Sequence, residues 1–142
     1  KIINKGETSK VKVKVKIKSE QIFEDRKDSE EHSCEGEIEY LEKGTILKFT
    51  EKFEEQELKF KMTILENKII IDRQNQTMTL KYNIDDNCVL ETPYGSMNMT
   101  VHTQEMKIEK NNELIQNIVL KYKITLENGM QYSNIVAIGL EY

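Results

Sequence analysis

Between Lys10 and Lys18 the chain alternates without a fault. Five lysines, Lys10, Lys12, Lys14, Lys16 and Lys18, are separated by Val11, Val13, Val15 and Ile17. Successive side chains of a strand point to opposite faces, so this segment is apolar on one side and cationic on the other. A helix would scatter the lysines around its circumference. The lysine face could bind an anionic surface, but lysines alternating on one strand are more often a solvated face. Lysine also blocks edge-to-edge pairing. Acidic neighbours such as Glu37 and Glu39 could neutralise it across the sheet.

The same period recurs down the chain. Ile38 and Tyr40 alternate with glutamates, and Leu47, Phe49 and Phe53 share a parity. Leu58, Phe60, Met62 and Ile64 follow, then Ile69 and Ile71, then Met78, Leu80, Tyr82 and Ile84. Met97, Met99 and Val101 precede Met106 and Ile108 in shifted parity, which implies a bulge or tight turn near Thr103-Gln104-Glu105. Ile118, Leu120, Tyr122, Ile124 and Leu126 form the longest row. The chain closes with Met130, Tyr132, Val136, Ile138, Leu140 and Tyr142.

Turn signals lie between the rows, at Glu42-Lys43-Gly44, Glu66-Asn67-Lys68, Asp85-Asp86-Asn87, Thr92-Pro93-Tyr94-Gly95, Lys110-Asn111-Asn112 and Asn128-Gly129. Ile22 to Glu35 is charge-rich and aperiodic, and reads as a loop with room for one helical turn. About ten strand-like segments with short connections make an all-β pattern. The 142 residues fit one domain, residues 1–142. A barrel would remove the sheet edges, and a two-sheet sandwich is the alternative.

Charge narrows the function. Acidic residues outnumber basic ones 25 to 21, for a net charge of -4, and Arg26 and Arg73 are the two arginines. Both facts argue against a nucleic-acid partner. No run of apolar residues is long enough for a membrane-spanning helix, and no membrane partner is expected. No secretory leader is visible, although the chain opens at Lys1 rather than Met, which points to trimming or processing. Cys34 and Cys88 lack zinc-like spacing and read as two thiols of a cytoplasmic protein, a bridge between them staying open.

Catalytic signals are weak. His32 and His102 have no metal-ligand spacing. A histidine–cysteine nucleophile pair competes with two ordinary surface histidines, and the second is favoured. No catalytic residue, metal site or cofactor is assigned.

The sharper signal is polar residues on apolar parities. Glu51 falls between Phe49 and Phe53, Arg73 continues Ile69 and Ile71, and Asn134 interrupts Tyr132 and Val136. A buried charge needs a partner, so Glu51 and Arg73 are natural partners for each other. Strand ends or a structural ion pair would explain all three residues. The functional alternative is a set of polar groups that fix the head of a ligand in an apolar lumen. Met62, Met78, Met97, Met99, Met106 and Met130 fall on the inward rows, as core filler or as an adaptable binding wall.

The stretch Thr92-Pro93-Tyr94-Gly95, Met97-Asn98-Met99-Thr100-Val101 and Thr103 resembles the YwiB-like proteins, a bacterial domain of unknown function. Thr50-Glu51, Ile71-Asp72-Arg73, Leu120-Lys121-Tyr122 and Ser133-Asn134 extend the resemblance from about Tyr40 onward. The resemblance implies a calycin-like, lipocalin-like antiparallel barrel of eight to ten strands, cytoplasmic and from Gram-positive bacteria, with no established activity. Glu51, Arg73 and Asn134 fall on the family's pattern. Arg73-Gln74-Asn75 stands where the family would read Arg-x-Gly.

Three readings follow. The first is a binding module that takes a small apolar or amphipathic molecule, oriented by Glu51, Arg73, Asn134 and Tyr122. The second is a filled barrel acting through its outer face or as a homodimer, with Val119, Ile135 and Ala137 as candidate surface. An enzyme is the least favoured.

Overall fold

The computed structural model describes residues 9–74 and 76–142, and of Ser9 and Phe53 the backbone alone. Asn75, where the sequence departs from Arg-x-Gly, lies outside the described residues. The strands are β1 (Ser9–Ile22), β2 (Lys27–Leu41), β3 (Gly44–Phe53), β4 (Gln56–Ile64) and β5 (Ile69–Arg73). β6 (Gln76–Leu80), β7 (Asp85–Thr92), β8 (Gly95–Asn111), β9 (Leu114–Leu126) and β10 (Gln131–Glu141) complete them.

They form one antiparallel sheet in the order β6-β5-β4-β3-β2-β1-β10-β9-β8-β7. Two meanders, β1 to β6 and β7 to β10, are joined where β10 returns beside β1. The sheet rolls into a nearly closed barrel. Its ends approach at Tyr82 and Thr103, which form a bridge, and the Asn83 N–H donates to the Thr103 carbonyl at 2.8 Å. Among the described residues no helix is long and apolar enough to cross a membrane.

Alternation sets the two faces. Val13, Val15 and Ile17 are buried while the lysines between them are exposed. Part of that cationic face is neutralised across the sheet, by Lys10–Glu39 at 4.0 Å, Lys16–Glu141 at 2.7 Å and Lys18–Glu31 at 3.2 Å. Such exposed pairs fix register more than they stabilise.

The core lies in the lumen. Val15, Ile38, Leu47, Ile69, Leu80, Val101, Ile115, Ile118 and Leu120 are fully buried there. The end of the lumen at Ile115 is sealed by a hydrogen-bonded ring. The Ile115 N–H donates to the Tyr40 hydroxyl at 2.8 Å, and the Tyr142 hydroxyl donates to the Ile115 carbonyl at 2.8 Å. The two phenols contact each other, with Tyr40 as donor because the Tyr142 proton is already used. Burial raises the Tyr142 hydroxyl above its ordinary pKa.

Several expectations are corrected. Ile22 to Glu35 is not a loop with a helical turn. β1 runs to Ile22, a turn closed by the Phe23 N–H to Arg26 carbonyl bond follows, and β2 begins at Lys27. Residues 24–31 are all exposed, so no apolar row could mark this strand. Lys27–Glu20 and Lys18–Glu31 tie the hairpin instead.

The turn expected at Asp85-Asp86-Asn87 lies earlier, at residues 81–84, and β7 starts at Asp85. Tyr82 and Ile84 therefore leave the apolar row, at 63% and 57% exposed. The two rows split around Gln104 are one strand, β8, with its bulge between Thr103 and Glu105. Met130 is in the β9–β10 turn and is exposed rather than inward, while Met62 and Met99 are buried.

Candidate functional site

Toward the other, unsealed end the lumen wall turns polar, with Val101 and Ile124 buried one row beyond. Asn134 on β10 is opposite Tyr122 on β9, and Tyr122 is opposite Thr103 on β8. Opposed residues of a ladder share a face, so three polar side chains stand side by side on the lumen wall. All are buried: Thr103 is 0%, Asn134 7% and Tyr122 7% exposed. The Thr103 hydroxyl has no hydrogen-bond partner among the described residues. Buried polar groups are ordinarily paired, which makes this group an exception in need of a reason.

Glu51 and Arg73 come from the opposite wall. Phe49, Phe60 and Arg73 are neighbours across β3, β4 and β5, and Glu51 is opposite Leu58 one row nearer the rim. Phe49 and Phe60 stack with centroids 5.0 Å apart, and the Arg73 guanidinium carbon is 5.2 Å from the Phe60 ring centroid. Glu51 is half-buried and Arg73 exposed. The ion pair expected between them is not formed among the described residues. Arg73 ends its strand and reaches water, so neither charge is stranded in an apolar core.

Electrostatics tie the two walls together. Burial pushes the Tyr122 hydroxyl up to about 12, with a smaller push from Tyr132 and an opposing pull from Arg73. Burial raises Tyr132 as well, again against Arg73, with Cys88 adding to the rise. Arg73 is thus within electrostatic range of both phenols. Cys34 is raised by burial, then by Glu51 and Glu35, and Cys88 by burial and Asp86. Both thiols are free and half-buried, and a raised pKa leaves them poor nucleophiles. His32 lies 3.2 Å from Glu30, and His102 pairs with Asp85 on the outer face. Neither histidine is joined to a cysteine among the described contacts. No described group of three acidic, histidine or cysteine side chains could hold a metal ion.

A depression of about 920 Å³ opens at the rim beside this wall, lined by Ile22, Phe23, Arg26, Lys123, Met130 and Tyr132 among others. Tyr132 stacks on Phe23 at 5.1 Å, and the Arg26 guanidinium caps Phe23 at 4.0 Å. Tyr132 therefore links the rim to the buried Tyr122.

Sequence reasoning placed Glu51, Arg73, Tyr122 and Asn134 on the lumen parity, where the structure puts them. It missed Thr103, Tyr132 and Phe23. Thr103 continues the row Met97, Met99 and Val101, so the criterion that found Glu51 also applies to it. The neighbouring bulge hid it.

The model of the domain of unknown function DUF1934 matches residues 15–138. The chain belongs to this family. A crystal structure of the ywiB protein from Bacillus subtilis matches with a TM-score of 0.72, covering 94% of each chain at 10% identity. At that identity the likeness to it shows the fold alone, and the fold is the antiparallel barrel expected from the sequence. No curated protein matches the chain in sequence.

Proposed function

We propose that this DUF1934 barrel binds a small amphipathic molecule non-catalytically at its open end. The observation that carries the reading is the Thr103 hydroxyl, fully buried and unpartnered beside Tyr122 and Asn134. An unsatisfied buried hydroxyl costs about 1–3 kcal/mol, a cost that a ligand's polar head would remove. Tyr122, Asn134 and Thr103 receive the head, Arg73 and Glu51 set its charge preference, and the apolar body lies against Phe23, Met130 and Tyr132. The sealed end is filled by the chain's own side chains, so the ligand is small. Two free thiols fit a reducing compartment, and a cytoplasmic location in a Gram-positive bacterium belongs to the same proposal.

Native mass spectrometry of protein purified without detergent tests what co-purifies. A fluorescent polyene fatty acid then serves as probe. Saturable one-to-one binding, weakened at least tenfold by Tyr122→Phe or Arg73→Gln, is expected. Absence of both a co-purifying mass and saturable binding overturns the proposal.

A second reading has its own observation. Tyr82, Ile84 and Val89, at 63%, 57% and 44% exposed, lie on the turn before β7 and on β7 itself. β7 is an end strand of the sheet, so this corner is a surface for a second copy of the chain. Val119, Ile135 and Ala137 are half-buried and form a weaker candidate. Light scattering of the wild type and of Val89→Lys reads the oligomeric state directly.

A further inference from the structure

On the outside of the barrel, away from the open end, a groove of about 700 Å³ crosses β1 to β5. Lys12, Lys48, Lys59 and Lys61 line it, with Phe49 and Phe60 also contributing to its wall. One row of the register runs straight across it. Lys12 is opposite Glu37, Glu37 opposite Lys48, Lys48 opposite Lys61, and Lys61 opposite Asp72.

The centre of that row is a like-charge pair. Directly opposed side chains have Cβ atoms about 5 Å apart, and like charges there are destabilising. Lys59 lies two residues from Lys61 on the same face, about 7 Å along the strand. None of Lys48, Lys59 and Lys61 forms an ion pair among the described residues, although Glu37 and Asp72 flank them. Asp72 instead accepts the Thr77 hydroxyl at 2.7 Å. On the neighbouring face Lys10, Lys16 and Lys18 each meet a carboxylate. The same sheet thus neutralises one set of lysines and leaves the other converging on a groove.

We propose that this groove binds a small molecule bearing two or more adjacent negative charges, such as a pyrophosphoryl group, held between Lys48, Lys59 and Lys61. A compact anion neutralises three ammonium groups whose side chains leave the sheet about 5–7 Å apart. An extended phosphate chain does not suit the groove, because Glu35, Glu37 and Asp72 border the lysines. This site is independent of the open end.

Inorganic pyrophosphate is the probe, titrated calorimetrically at low ionic strength and mapped by backbone amide shifts. Saturable binding with shifts centred on Lys48, Thr50, Lys59 and Lys61 is expected. Lys48→Gln and Lys61→Gln each weaken it at least tenfold, and Lys16→Gln leaves it unchanged. Lys61→Glu abolishes binding and leaves the melting temperature close to that of the wild type, because it exchanges the like-charge pair with Lys48 for a like-charge pair with Asp72. That unchanged melting temperature shows that lost binding is not lost folding. No saturable binding overturns the proposal. So does an equal loss in Lys16→Gln, or a shift pattern centred on Arg73.

Discussion

Thr103 lies directly opposite Tyr122 across the β8–β9 ladder, fully buried and with its hydroxyl unpartnered. Valine has nearly the shape of threonine without the hydroxyl. Thr103→Val therefore removes a desolvated polar group and opens no cavity. The variant is expected to be more stable by about 1 kcal/mol while binding the fatty-acid probe more weakly. Urea unfolding and probe titration on the same sample check both parts. A stabilised variant with unchanged affinity would leave the hydroxyl a plain defect of the core.

Tyr40 has the opposite role at the sealed end. Its hydroxyl accepts from the Ile115 N–H and donates to Tyr142. Tyr40→Phe strands the Ile115 N–H and breaks the ring that joins β2, β9 and the end of β10. A loss of about 1–3 kcal/mol is expected, read as a lower urea midpoint. Probe affinity at the open end should hold, since no residue of that site touches the ring.

How far the sequence carried these conclusions depends on which faces of a strand are wet. β1, β3, β4 and β9 bury one face and expose the other, so Val13, Leu47, Met62 and Leu120 announced themselves by alternation. The first half of β2 is wet on both faces, and its exposed charges left no period to read. β7 has a weak apolar row because Cys88 and Leu90 are half-buried and Val89 lies outside. The expected count of about ten strands agrees with the structure through two compensating differences: the pattern passes over β7 and splits β8 in two. At the open end, polar residues on apolar parity located four side chains. No single-chain pattern could bring Arg73 near Tyr122, because that needs the closure of the barrel.

Gly36 leaves no room for a side chain against its neighbours. A Cβ added there would lie 2.7 Å from Val15 Cγ2 and 2.8 Å from the Lys48 carbonyl oxygen. The valine methyl can turn away, but the carbonyl belongs to β3 and moves only with its strand. Gly36→Ala is therefore expected to destabilise by about 1–3 kcal/mol, although alanine suits a strand no worse than glycine. Gly139 is the control. Its added Cβ would meet Asn117 Oδ1 at an ordinary 3.5 Å, so Gly139→Ala should leave the melting temperature within a degree or two, roughly the span of a neutral surface change.

Tyr122 makes stability depend on alkaline pH. Its hydroxyl is held at about 12 in the folded chain against 10.0 ordinarily, chiefly because burial disfavours the phenolate. Between those values the unfolded chain gives up a proton that the folded chain keeps. The folded state then binds more protons, so stability falls as pH rises. The contribution is fully present below about pH 10 and is lost progressively toward about pH 12, amounting to about 3 kcal/mol. Melting temperatures measured from about pH 9 to about pH 12 should fall, and Tyr122→Phe should flatten the fall. Tyr132 and Tyr142 are also raised, so a residual slope is expected in the variant. An unchanged slope would place the Tyr122 hydroxyl in contact with water, and the buried wall of Thr103, Tyr122 and Asn134 would lose its central member.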